Sequence, residues 1–378
     1  MSNSMKAILP DIEIHSSLAD YTVRFSHLDD VNTWQPQADA LLIDDFFRNR
    51  LELSDDCPVI WIEANEEAKS LPATFDVFTA LKQYGLGRGS TLTVIGGGVL
   101  QDIGTFVASL YMRGIHWTYI PTTFLGMTDS CLGGKSSINV GPYKNLIGNF
   151  YPPQCIDILP VFSKTLPTVE MAGGSAEAAK ISFCRGTNAF AHYEQLATPL
   201  LVNDWEEGQL AQLLHTTLSI KKWFIEIDEF DNAQRRLLNF GHTWGHALES
   251  ATSFAIPHGL AVAIGMMASI CFTGHQPTTA RLWDYCTRLL EPVLHSEQLE
   301  SFEDDKFLTA FQADKKHSPK NYHLIVPTID SSSDLGVHEI VLEASPVSLH
   351  SVLSAMHESL DALKRIKSSS TSFPSQDK

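Results

Sequence analysis

Apolar residues in the first 160 positions come in short runs closed by polar or turn-forming residues. Ala40-Leu41-Leu42-Ile43 ends at Asp44, and Val59-Ile60-Trp61-Ile62 ends at Glu63. Thr91-Leu92-Thr93-Val94-Ile95 runs into Gly96-Gly97-Gly98, and Trp117-Thr118-Tyr119-Ile120 stops at Pro121. Runs this short between turn signals predict buried strands. Helical patterns fall between them, at Phe75 to Tyr84 and from the glycines through Phe106 to Tyr111. Strands alternating with helices predict a mostly parallel α/β sheet covered on both faces. The pattern changes at Leu166-Pro167 to long helical segments as far as about Leu290, with Thr168 a candidate cap. Tyr322 to Val326 alternates like a strand, and the Ser-rich stretch from Lys367 to Lys378 predicts a disordered tail. The expected organisation is an α/β nucleotide-type domain over residues 1–166, a mainly helical domain over 167–366, a tail over 367–378, and a site between the two domains.

The chain has 378 residues, enough for two domains, and is 44% hydrophobic, enough for a large core. Its formal net charge of -17 argues against nucleic acid as a partner, since that affinity comes from neutralising phosphates. An anionic small molecule stays open, because a pocket can be locally basic on an acidic protein. The six cysteines show no C-x-x-C pairing and are expected to be reduced thiols. Met1 to His15 carries Asp11 and Glu13 without a long apolar run, and no charge-free apolar run of about 18 residues occurs. A cytoplasmic protein without a membrane partner is expected.

Candidate chemistry concentrates in a few segments. His242 and His246 in Gly241-His242-Thr243-Trp244-Gly245-His246 share one helix face at i, i+4, and His258 follows after a short connection. Imidazoles so grouped suit zinc, and an incompletely filled set suggests catalysis rather than a structural staple. Among fifteen histidines such a pair also arises by chance. Glu177 and Lys180 stand at i, i+3 with alanine and glycine around them, which makes Glu177 a candidate further ligand rather than half of a surface pair. Gly96, Gly97 and Gly98 close a strand and open a helix, a place where backbone can approach a pyrophosphate; G-x-G-x-x-G is absent. Lys135 stands behind a second glycine turn, and Lys144-Asn145 follows; both suit an anion, although the P-loop spacing is absent. Arg235 and Asn239 lead at i, i+4 towards the histidines, with Lys221 upstream. A guanidinium suits a carboxylate, but Arg236 competes with Arg235 for that place.

Taken in order, GGGVLQD, MRG, PTT, DSCLGGKSSIN, KNLIG, AEAAK, LLNFGHTWGHALE and HGLAVAIGM resemble the 3-dehydroquinate synthases and related sugar phosphate cyclases, over about Glu66 to Met266. The resemblance implies an α/β N-terminal NAD-binding domain and an all-helical C-terminal metal-binding domain. It implies NAD and a divalent metal, zinc or cobalt, held by Glu177, His242 and His258. Lys135, Asn145 and His246 fall at the phosphate end, with Lys144 nearby and Arg113 reaching the pocket of a second subunit in a homodimer. Asp129, Lys180, Lys221 and Asn239 fall to substrate hydroxyls, and Arg235 to a carboxylate. Asp44, Glu66, Lys69, Gly96, Gly97, Gly98, Asp102, Thr122 and Thr123 fall to the cofactor. The implied activity is a carbon–oxygen lyase of aromatic amino acid biosynthesis, the shikimate pathway. It eliminates phosphate from 3-deoxy-arabino-heptulosonate 7-phosphate and closes a carbocycle by oxidation, elimination, reduction and aldol steps, with NAD regenerated.

The chain departs from the family pattern in several places. Leu260 replaces an acid, Asp231 a glutamate, Trp244 a smaller or different apolar residue, and Gly173-Gly174-Ser175 part of the helix before Glu177. The phosphate-side lysine near the C-terminus is one of Lys315, Lys316 and Lys320. Competing readings are a secondary-metabolism cyclase acting on sedoheptulose 7-phosphate or a similar sugar phosphate, a metal-dependent NAD alcohol dehydrogenase, and a non-catalytic binding module.

Overall fold

The computed structural model describes residues 6–28, 35–141, 143–202, 204–328 and 334–370. The chain packs into two compact units: Met1–Leu166 with Trp205–Asn232, and Pro167–Asp204 with Ala233–Lys378.

The first unit is built on a seven-stranded sheet. Its strands in chain order are β1 (Lys6–Ile14), β2 (Tyr21–His27), β3 (Ala40–Asp44), β4 (Val59–Ile62), β5 (Thr91–Gly96), β6 (His116–Pro121) and, after a small hairpin, β9 (Cys155–Ile158). The spatial order is β1-β2-β9-β6-β5-β3-β4. Every pairing is parallel except β1 with β2. The strand runs read from the pattern are β3, β4, β5 and β6. Of these, β3 and β5 are buried almost throughout, as strands of a sheet covered on both faces are. The hairpin, β7 (Ile138–Val140) and β8 (Tyr143–Ile147), lies apart from the sheet. Helix α1 (Leu71–Gln83) follows β4, and α2 (Gly98–Leu110) follows β5 directly.

The second unit contains α3 (Thr168–Arg185) and α4 (Thr187–Leu201). Helix α5 (Glu207–Ile227) belongs to the first unit, and the second resumes with α6 (His242–Ala251), α7 (His258–Thr273), α8 (Pro277–Leu290), α9 (Ser296–Glu300), α10 (Asp304–Gln312) and α11 (Pro346–Ser370). An antiparallel hairpin within it pairs β10 (Asn321–Pro327), the strand expected near Tyr322, with β11 (Val337–Glu343). Helix α7 is apolar around its whole circumference. Every residue from Gly259 to Ile270 is buried, which fits a central helix packed against α6, α3 and α11.

Three expectations are corrected. Trp205–Asn232 packs with the first unit, not with the helical one: α5 lies on β1, and Lys222 Nζ donates to the Glu13 carbonyl at 2.6 Å. Thr168 is the first residue of α3 rather than its cap; Pro167 takes the cap position with no side-chain hydrogen bond. The tail expected from Lys367 is helical to Ser370, as the last turn of α11, and residues 371–378 lie outside those described. Among the described residues, no helix is long and apolar enough to cross a membrane, and all six cysteines are free.

Candidate functional site

In the second unit, a close helix contact sets the geometry. Gly173 on α3 meets Gly259 on α7 so closely that a Cβ at Gly259 would stand 2.4 Å from both the Gly173 Cα and its carbonyl oxygen. One turn along α3 from Gly173 is Glu177; one residue before Gly259 is His258. With no side chain on either glycine, the two helices bring that carboxylate and that imidazole together. Gly241 supplies the other approach. Its φ of +76° is one that glycine adopts without strain, and it turns the chain straight into His242 at the start of α6.

Glu177 is 1% exposed. Its Oε2 accepts a short hydrogen bond from Lys180 Nζ. Its Oε1 is buried without a hydrogen-bond partner. That oxygen faces the Nε2 atoms of His258 at 3.4 Å and His242 at 3.6 Å. Ligands around a tetrahedral zinc bonded at roughly 2.0–2.1 Å are about 3.3 Å apart. An orphaned carboxylate oxygen facing two imidazole nitrogens at nearly this spacing fits such a cation well. Behind His258, the Glu249 carboxylate lies 3.3 Å from Nδ1 and fixes the ring, the outer support that metal-bound imidazoles commonly have. The ligand atoms of His242, His246 and His258 also lie within 4.8 Å of one another.

The charges are strongly coupled. Burial alone would raise the Glu177 pKa, but the Lys180 ammonium and the His258 ring outweigh it and hold the carboxyl well below the usual range. Burial pushes His242 well below the ordinary imidazole value, and Lys180 adds to the effect. His246 is pushed down too, by its surroundings and by Lys316. His258 goes the other way: burial lowers it, but its contacts with Glu177 and Glu249 prevail and raise it to about 10. Lys316 is the C-terminal lysine whose charge acts on His242 and His246. It bonds to Asp314 at 2.9 Å, and the sequence could not choose it over Lys315 or Lys320. The structure also separates the two arginines. Arg235 is 4% exposed, whereas Arg236 pairs with Glu339 at 3.1 Å. Asn239 is anchored through Nδ2 to the Arg236 carbonyl.

In the first unit, Gly96-Gly97-Gly98 forms the turn from β5 into α2. A Cβ at Gly97 would stand 2.7 Å from Thr123 Cγ2, so the backbone passes close to the Thr122-Thr123 segment after β6. Asp102, one turn into α2, accepts from Ser137 N and Oγ at 2.9 Å each and pairs with Lys69 at 2.8 Å. Lys69 also donates to Asn145 Oδ1 at 2.9 Å and lies 3.8 Å from Glu66. Burial raises the Asp102 pKa even against Lys69. Asp44 ends β3 and accepts from Phe46 N, with its pKa raised by burial.

A second cluster in this unit centres on the π-helical turn Gly126–Ser130, a backbone form frequent at functional sites. Asp129 on this turn pairs with the buried Lys221 of α5 at 2.6 Å. Lys135 pairs with Asp231 at 2.6 Å, and Asp231 has a positive φ of 61°. Asn145, expected with Lys135 at the phosphate end, accepts through Oδ1 from Lys69 and Ser137. Lys144 is exposed on that hairpin, and Arg113 is exposed with a φ of 70°. Ser137 and Glu249 were not singled out by the sequence. Ser137 stood in a quoted motif and Glu249 three residues past His246, but neither spacing says which neighbour a side chain will meet.

The 3-dehydroquinate synthase N-terminal family model matches residues 59–173 and the C-terminal one residues 174–317. The 3-dehydroquinate synthase of Pyrobaculum islandicum is 39% identical over 214 residues, 56% of this chain and 61% of that protein; the matched part is thus under two thirds of its length. The enzyme of that name from a Sulfurovum species is 33% identical over 302 residues, 79% of this chain and 83% of its own. A crystal structure of 2-deoxy-scyllo-inosose synthase with carbaglucose-6-phosphate, NAD+ and Co2+ shares the fold at a TM-score of 0.72 and 19% identity, covering 92% of this chain and all of that one. With both family models matching in sequence order and the shared fold beneath them, the chain belongs to the 3-dehydroquinate synthase family.

Proposed function

We propose that this protein is an NAD- and metal-dependent carbon–oxygen lyase that eliminates phosphate from 3-deoxy-arabino-heptulosonate 7-phosphate and closes the carbocycle. The observation that carries this reading is the buried, unpartnered Glu177 Oε1 facing the Nε2 atoms of His242 and His258. These three residues would hold the cation. When bound, the metal would supply a Lewis acid for a substrate hydroxyl, and NAD would supply reversible hydride chemistry without net consumption.

The remaining roles rest on what each side chain already does. Lys180 holds Glu177 ionised and oriented. Arg235, buried and forked, suits the substrate carboxylate, which favours a sugar acid over a neutral sugar. His246, neutral near pH 7 and reaching solvent, suits a phosphate oxygen or its proton, with the Lys316 charge acting on it. Lys135, held by Asp231, suits an anion as well. Lys221, Asp129 and Asn239 suit substrate hydroxyls. For the dinucleotide, the turn at Gly96–Gly98 and the start of α2 offer backbone donors, and Asp44, Glu66, Lys69, Asp102, Thr122 and Thr123 line the same end of the sheet. Two copies forming a dimer is the reading of Leu110, Met112 and Arg113, which are exposed together; light scattering tests it.

The deciding experiment measures phosphate release with NAD and zinc or cobalt, from the heptulosonate phosphate and from sedoheptulose 7-phosphate. Metal-dependent release from the first alone, without net NADH, is expected. Release from the second alone would make the chain a secondary-metabolism cyclase. Net NADH from a polyol would make it a dehydrogenase.

A further inference from the structure

We propose that Cys271, His275 and Glu358 form a second, peripheral binding site for a borderline divalent cation such as zinc or cobalt(II). Cys271 lies in the last turn of α7, His275 just beyond that turn, and Glu358 on α11, which packs along α7. The three ligand atoms lie within 4.8 Å of one another. His275 Nε2 faces both partners, at 3.9 Å from Cys271 Sγ and 3.8 Å from Glu358 Oε1. Sulfur and nitrogen bonded to one tetrahedral zinc, at roughly 2.3 and 2.0–2.1 Å, are about 3.5 Å apart, so His275 stands a few tenths of an ångström beyond ligand spacing from each partner.

The ring is already oriented. Trp283 packs edge-to-face on His275 with centroids 4.5 Å apart, which limits its rotation. One thiolate, one imidazole and one carboxylate is a donor set for zinc or cobalt(II) rather than for calcium or magnesium, which take oxygen ligands. On binding, the Sγ–H bond is exchanged for an Sγ–metal bond and the proton leaves to solvent. Helix α7 would then carry a cation at each end. His258 and Cys271 are thirteen residues apart, about 20 Å along a helix, so the two sites share no ligand. The peripheral cation would tie the C-terminal helix α11 to the central helix of its unit.

The thiolate makes the proposal testable independently of any activity. Cobalt(II) bound by Glu177, His242 and His258 has no sulfur ligand. Cobalt at Cys271 gives near-ultraviolet thiolate-to-metal charge-transfer absorption. Titration of the reduced full chain with cobalt(II) is expected to raise this absorption to saturation at one thiolate-bound ion. Cys271→Ala should abolish it, and His275→Ala and Glu358→Gln should each weaken the apparent Kd by at least about tenfold. Absence of the band in the unmodified chain, its survival in Cys271→Ala, or an unchanged Kd in both other variants would overturn the proposal. The unmodified chain supplies the primary readout, so a variant that fails to fold does not leave the question undecided.

Discussion

Loading zinc at Glu177, His242 and His258 should expel one proton per ion. His258 is raised to about 10 by its contacts with Glu177 and Glu249, so at pH 7.5 the metal-free ring is protonated. Glu177 is already ionised, and His242 and His246 are already neutral, because their values are pushed down. A metal-bound imidazole must be neutral, so the single proton to be lost is that of His258. From this follows a slope: zinc affinity rises about tenfold per pH unit and about a hundredfold from pH 6.5 to 8.5, flattening as pH approaches about 10. The assay is calorimetric titration at pH 7.5 in buffers of different ionisation enthalpy, on the Cys271→Ala variant so that no thiol contributes a proton. Glu249→Gln, which removes one of the two carboxylates, should move the flattening to lower pH. Stability supplies a check of opposite sign. A folded pKa raised above the ordinary 6.5 stabilises fully below that value and is lost as pH rises towards about 10. The metal-free protein should therefore lose stability above neutral pH while the zinc-induced rise in Tm grows. A pH-independent affinity, or no proton release, would refute the assignment of His258 as a protonated ligand.

Three further outcomes follow from the same geometry. Glu177→Gln removes the charged ligand and should weaken zinc retention by at least about a hundredfold, measured as metal content after dialysis. Gly259→Ala places a Cβ 2.4 Å from Gly173; overpacking of this kind costs about 1–3 kcal/mol, and the parted helices should lower both Tm and bound metal, whereas an unchanged Tm would mean the contact is soft. Lys69→Met leaves Asp102 without its cation and should cost about 3 kcal/mol in urea unfolding. Because burial already raises the Asp102 pKa and loss of Lys69 raises it further, that cost should be larger at pH 8 than at pH 5.

The sequence by itself determined the elements whose pattern is local. The apolar runs at β3, β4, β5 and β6 are legible because a strand buried on both faces needs consecutive apolar residues, whatever its neighbours. The glycine turn before α2 and the His242/His246 spacing are legible for the same reason: each lies within one turn of chain. Much else depended on contacts far apart in sequence. The edge strand β1 and its neighbour β2, whose exposed positions break up the apolar run, did not stand out. Helix α5 reads like any other amphipathic helix, and only its packing on β1 and the burial of Lys221 against Asp129 assign it to the first unit. Nothing local distinguishes Arg235 from Arg236 or Lys316 from Lys315, or shows that Asn145 will meet Lys69. The paired glycines 173 and 259 are ordinary residues in the sequence. Only the folded chain shows that two helices touch there, and that this contact brings the Glu177 carboxylate to the histidines. Periodicity records which face of an element is buried; the partner across that face is fixed by tertiary packing, and the chemistry of this site depends on the partners.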